Sequence, residues 1–152
     1  MRNRLPVLFA LIAALALAAP AGAPAAKRKR PPKPPSTAVV KKLINDHFAK
    51  GGKPDSFGHI RTIEWTSVSV RKGRRASPAA DLIKPGTWVF PSRAKFDMKI
   101  FMPSWGDTIL ERWDAKIKVF RDEYGDWSFT NDDVQSEKVR CTHSDGSEYP
   151  CP

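Results

Sequence analysis

The sequence predicts an α+β fold, one N-terminal amphipathic helix packed on a curved four-stranded antiparallel sheet, and three observations carry this. The segment WVFPSRAKFDMKIFM, residues 88–102, alternates apolar and polar side chains almost without a break. Residues 37–50 instead repeat their apolar side chains at helical spacing, and two more alternating stretches follow residue 102 with only short turns between. A period of 2 marks a strand with one wet face, whereas a 3.6-residue period marks a helix with one apolar stripe. The two surfaces need each other.

The helix starts at Ser36 or Thr37, either of which can cap it, and stops at Gly51 and Gly52. Val40, Leu43, Ile44, His47 and Phe48 share its apolar side; Lys41, Lys42 and Lys50 lie away from it. The first strand falls within HIRTIEWTSVSV. Its apolar parity flips between Trp65 and Val68, which predicts a β-bulge near Thr66 and Ser67. Residues 72–86, KGRRASPAADLIKPG, read as a long polar connection.

In the second strand Trp88, Phe90, Ala94, Phe96, Met98, Ile100 and Met102 point inward, and Pro91 implies an edge position or a bend. ILERWDAKIKVF, 109–120, returns with Trp113, Ala115, Ile117 and Val119 inward. RDEYGDW then closes a hairpin into WSFTND, 127–132, the last of four long antiparallel strands. A fifteen-residue strand spans roughly 50 Å and a four-turn helix about 20 Å, so the sheet must curl around the helix.

The ends define the layout. Residues 1–26 combine Arg2 and Arg4 with a short apolar run and small residues, the pattern of a cleavable signal peptide with cuts after Ala21 or Ala25. Pro24 disfavours a cut after Ala23. KRKR at 27–30 adds positive charge beyond the apolar run, so an orientation that keeps the body in the cytoplasm stays open beside the secreted or periplasmic one. Residues 27–35, KRKRPPKPP, form a basic Pro-rich tether, 36–140 the α+β domain, and 141–152 a C-terminal loop. Cys141 and Cys151 are the sole cysteines, and an even pair in an exported chain predicts a disulfide.

The helix, the curved sheet and the acidic YGDW turn before a Trp-x-Phe strand resemble the nuclear transport factor two-like and cystatin-like group of α+β folds over roughly residues 36–131. The larger cone-shaped members carry additional N-terminal helices, and the Q-x-V-x-G inhibitor hairpin is absent, so no inhibitor residues carry over. The resemblance implies at most a small pocket around His47, with Asp97 or Tyr124 as potential acid–base partners. Asp97 has the wet parity of its strand, which opposes that grouping.

No nucleophile elbow, phosphate loop or four-ligand metal pattern occurs, and histidines at 47, 59 and 143 make no metal set; no cofactor is predicted. Charge is the strongest chemical theme. Residues 27–106 hold 18 basic and 5 acidic side chains, whereas 107–152 hold 6 and 11. The candidate binding residues are Arg71, Lys72, Arg74 and Arg75, the outward Arg93, Lys95 and Lys99, and the turn residue Trp105, which either recognises a ligand or folds back on a strand. Clustered cations of this kind bind anionic polymers or membrane surfaces. For an exported chain nucleic acid is the less accessible partner. The expectation is therefore an exported, non-enzymatic binding or association module; the alternatives are an enzyme with a pocket around His47 and an accessory subunit that pairs with a protein partner or itself through its sheet.

Overall fold

The computed structural model describes residues 31–78 and 81–151; the expected signal peptide, 1–26, and the basic run 27–30 fall outside the described residues. Helix α1, Thr37–Phe48, begins at Ser36, whose Oγ accepts a hydrogen bond from the Val39 amide at 3.3 Å. The helix ends earlier than Gly51 and Gly52 suggest: Ala49 is its C-cap, and a short 3-10 turn, Lys50–Gly52, follows, with Lys50 at φ 48° and Gly51 at φ 63°. Glycine adopts such left-handed conformations at little cost.

All strands pair antiparallel in one sheet: β1 Ile60–Val70, β2 Arg74–Arg75, β3 Trp88–Met102, β4 Asp107–Arg121, β5 Trp127–Thr142 and β6 Glu148–Tyr149. Their order is β1-β3-β4-β5-β6, with β2 also paired to β3. The sheet thus has six strands rather than four. Two are two-residue pieces that no periodicity could mark.

The predicted bulge is present. β1 and β3 shift register between Trp65 and Ser67, which leaves Thr66 unpaired and brings Ile63, Trp65, Val68 and Val70 onto one face. Pro91, however, lies in an interior strand, where its missing N–H should break a ladder. It is tolerated because β1 ends at Val70 and β2 starts at Arg74: Pro91 sits opposite the gap, and its carbonyl still accepts from the Arg71 amide at 2.8 Å.

β5 runs ten residues beyond the WSFTND reading. Unpaired positions at Asp132 and Val139 shift its register against β4 twice, so its apolar parity breaks twice. Its far half is polar on both sides because it borders solvent.

The core lies between α1 and the inner sheet face. Val40, Ile44, Ala94, Phe96, Ala115 and Val119 are fully buried, with Leu43, Phe48, Trp65 and Trp113 packed around them. Phe96 sits at the centre: Trp113 stacks on it at 5.9 Å, Trp65 lies at 5.3 Å and Phe48 at 6.2 Å. Fully burying such a ring contributes on the order of 1.5–3 kcal/mol from transfer alone. Phe96 and Ile117 share this face, and Leu43 docks into it, as the alternation requires.

Residues 71–87 do not form a plain polar loop. They fold back over the outer face, where Ala76 and Ile83 pack with Val89 against Phe120 to form a second small core. At the opposite end Cys141 and Cys151 form a disulfide, and the β5–β6 turn packs so close to Gly106 that a Cβ there would meet Ser144 Cβ at 2.7 Å.

Candidate binding surface

The outward side chains of β3, β4 and β5 form ladders of opposite charge. Arg93 holds Asp114 with two hydrogen bonds, one of them from Nε at 2.7 Å, and Lys95 Nζ approaches the same carboxylate at 3.8 Å. Lys116 meets Asp133 at 2.5 Å; Arg112 bridges Asp97 at 3.3 Å and Glu137 at 3.7 Å. Hydrogen bonds from Arg93 and its positive charge hold the Asp114 carboxyl below the usual carboxylate range, against a partial loss of hydration. Cations on β3 thus meet a carboxylate on β4, and cations on β4 meet carboxylates on β3 and β5, so the charges cancel between neighbouring strands.

Beneath the 71–87 flap lies the most enclosed charge, Asp81. Arg74 grips it bidentately at 2.7 and 3.0 Å, the Ser77 amide donates at 2.8 Å, and Lys118 Nζ lies 3.0 Å away while also meeting Asp132 at 2.7 Å. The Arg74 hydrogen bonds, then those from Ser77 and Lys118, outweigh burial and push the Asp81 carboxyl far below its ordinary value. Chain order hides this cluster: an Asp in an Ala-Pro loop gives no hint that a strand lysine 37 positions later will meet it.

The predicted site residues therefore divide. Arg74 is committed to Asp81, and Arg75 lies over the Trp88 ring at 4.4 Å. Arg93 and Lys95 belong to the sheet ladder. Lys99 is exposed beside a shallow depression of about 320 Å³ with Thr108, Leu110 and Arg140. Arg71 lines another of about 200 Å³ with Arg93, Lys116 and Asp132. Arg71, Lys72 and Lys99 have no ion-pair partner among the described residues. Trp105 does not fold back: it stands 73% exposed in the β3–β4 turn.

His47 is exposed at the helix edge, its ring against Phe48 at 4.7 Å and Phe129 at 5.2 Å. Its suggested partners are elsewhere. Asp97 pairs with Arg112 on the outer face, and Tyr124 is 83% exposed in the β4–β5 turn. Among the described residues no group of three or more His, Cys, Asp or Glu could hold a metal ion.

Residue patterns also passed over an aromatic slot at the end of the sheet where β3 and β5 begin. Trp88, Phe90 and Trp127 line about 140 Å³ there together with Thr87, Arg121 and Pro32. The Arg121 guanidinium lies 4.3 Å over the Trp127 ring, as Arg75 does over Trp88. The signal was present as a Pro-rich stretch and two strand-initial tryptophans, but nothing in their spacing joins them.

Comparison with protein-family models, curated proteins and solved structures found no match to this chain.

Proposed function

We propose that this chain is an exported, non-enzymatic binding module that associates with anionic polymers or surfaces through its basic segments, Arg71 and Lys72 foremost among the described residues. One observation carries the reading: Arg71 and Lys72 are exposed and unpaired among the described residues, whereas most other candidate cations are tied to carboxylates or rings. The sheet's outer face is a poor cationic surface because its charges cancel locally. Without residues 1–26, 24 basic side chains face 16 acidic ones; the run 27–30 supplies four of that excess of eight and residues 31–152 the other four. The disulfide is compatible with export.

Binding of the recovered protein to anionic-lipid vesicles and to a soluble phosphate-rich polyanion, measured across a salt series, tests this. Affinity should fall steeply with salt and vanish near ~0.5 M, where exposed charges are screened. Arg71→Glu with Lys72→Glu should weaken it at low salt. Binding indifferent to both would remove the proposal.

Self-association has its own observation. Among the described residues, β1 pairs only with β3, so the far side of Ile60–Val70 is an open edge with few charges. A sedimentation coefficient that stays monomeric up to ~100 μM would end that alternative, since a dimer this weak exceeds the usual specific range. The His47 enzyme reading lacks a convergent acid–base partner, and His47→Ala leaving turnover of any identified substrate unchanged would retire it.

A further inference from the structure

We propose that the end of the sheet opposite Arg71 and Lys72 docks on an anionic phospholipid membrane, with Phe57, Phe101 and Trp105 entering the interface while Lys99 and Arg140 hold a headgroup phosphate. The proposal rests on the functional reading above for the partner's charge and departs from it in the contact used. Three exposed aromatic side chains gather at this end. Phe101 pairs with Ile60 where β1 begins, Phe57 precedes Ile60 by three residues, and Trp105 stands in the turn that follows β3. Phe57 is 76% exposed, Trp105 73% and Phe101 38%. Rings displayed on a tip favour the boundary between headgroups and acyl chains, where they meet hydrocarbon and an indole N–H still finds a polar partner.

Both turns hold these rings in water by hydrogen bonds. Asp55 accepts from the Phe57 and His59 amides at 2.9 and 3.0 Å and from Arg61 Nη1 at 2.7 Å, which fixes the loop before β1. Past β3, the Trp105 and Gly106 amides both donate to the Met102 carbonyl, at 3.1 and 2.8 Å. Gly106, at φ 74°, packs against Ser144 of the disulfide-closed loop. A ring on a loose loop can fold back and bury itself, whereas a ring on a locked turn keeps its apolar surface available to a partner.

Charge selects the partner. The ladders of the outer face stop at the row Asp97, Arg112 and Glu137; one step nearer the tip the row reads Lys99, Leu110 and Arg140, and the next Phe101, Thr108 and Thr142. Neighbouring strands lie ~4.8 Å apart, so the Lys99 and Arg140 backbones flank Leu110 with about 10 Å between them. Their long side chains can converge on one phosphate over the depression of about 320 Å³ that Thr108 and Thr142 line with hydroxyls. Lys99 has no ion-pair partner among the described residues, and Arg140 reaches Glu148 only at 3.5 Å, with both side chains more than half exposed. The acids nearby are engaged: Asp55 by Arg61, and Asp107 by His143 and the Tyr149 hydroxyl. Tyr124, a comparably exposed ring at the other end of the sheet, shares its turn with Asp122, Glu123 and Asp126, which an anionic surface repels. A second copy centred on the patch would set cation against cation.

The test uses the chain recovered from cells and vesicles of phosphatidylcholine with and without phosphatidylglycerol, at low salt. Lipids brominated on the acyl chain should quench the tryptophan emission of the parent chain on phosphatidylglycerol vesicles, and Trp105→Phe should abolish most of that quenching. Phe57→Ser/Trp105→Ser should lower vesicle affinity about tenfold and leave affinity for a soluble phosphate-rich polyanion unchanged, since only the vesicle offers hydrocarbon. Lys99→Gln/Arg140→Gln should erode the preference for phosphatidylglycerol. All four side chains are exposed, and an unchanged thermal midpoint verifies that each variant folds. Quenching that survives Trp105→Phe, or vesicle affinity indifferent to Phe57→Ser/Trp105→Ser, would overturn the membrane contact, as would a dimer that Trp105→Ser dissociates. Polyanion binding that depends on Arg71 and Lys72, with no binding to vesicles, would overturn this contact and leave the functional reading standing; binding to neither would end both.

Discussion

The two faces of this sheet are built from the same strands and held by opposite means. The inner face excludes water with Phe96, Ile117 and the helix residues Val40 and Ile44, all essentially without exposure. The outer face keeps its water and matches charge to charge across neighbouring strands. The 71–87 flap is the exception: there the outer face buries Asp81, but only inside a complete set of hydrogen bonds. The contrast teaches where stability resides, because removing apolar area is worth more than most exposed ion pairs.

Substitutions can break this contrast. Phe96→Ala should have the largest effect, about 3–5 kcal/mol of lost stability, because a cavity opens where three other rings converge. Urea unfolding measures it, and a loss below ~1 kcal/mol would mean that the inner face is not the stabilising one. Asp81→Ala should come next. It strands Arg74 and Lys118 together in the flap, and thermal unfolding should show a midpoint lowered by several degrees, with Lys118 still held by Asp132.

Asp55 sharpens the comparison through pH. Burial tends to raise its carboxyl, but hydrogen bonds from the Phe57 and His59 amides and from Arg61 together lower it to about 2. A carboxyl depressed in the folded state binds fewer protons there than in the unfolded chain, so its stabilisation is present above the unfolded value near 3.8 and is lost as pH falls towards 2. Asp55→Asn should therefore flatten the stability profile between pH 4 and 2 and change it little in shape above pH 5. An unchanged acid limb would exclude this turn as its source. Arg93→Ala should have the smallest effect: an exposed pair with Asp114 breaks, and the thermal midpoint should move by no more than about 2 °C.

Much of the inner face was legible because burial on one side imposes a period of 2 that water on the other side preserves. Ala94 and Phe96 facing Ala115 and Trp113 across the strand pair show it directly. The bulge at Thr66 was legible for the same reason, as a break in parity within a clear pattern. β5 beyond Asp132 was not, since its edge position leaves few residues to bury. Asp81 and Lys118 meet only when the flap closes, and no local rule relates them. The candidate site followed the same division: which cations point outward was readable from alternation, but which of them are neutralised depends on register, which pairs Arg93 and Lys95 of β3 with Lys116 and Asp114 of β4.

The long flap connection predicts that β1 joins the rest of the sheet late. β3, β4 and β5 are joined by two tight hairpin turns and can zip outward from them, whereas β1 must close a seventeen-residue connection before it reaches β3. Late arrival of β1 has a kinetic signature. Val68→Ala should speed unfolding and leave the refolding rate close to that of the parent chain, and a slowed refolding phase would instead put β1 in the nucleus.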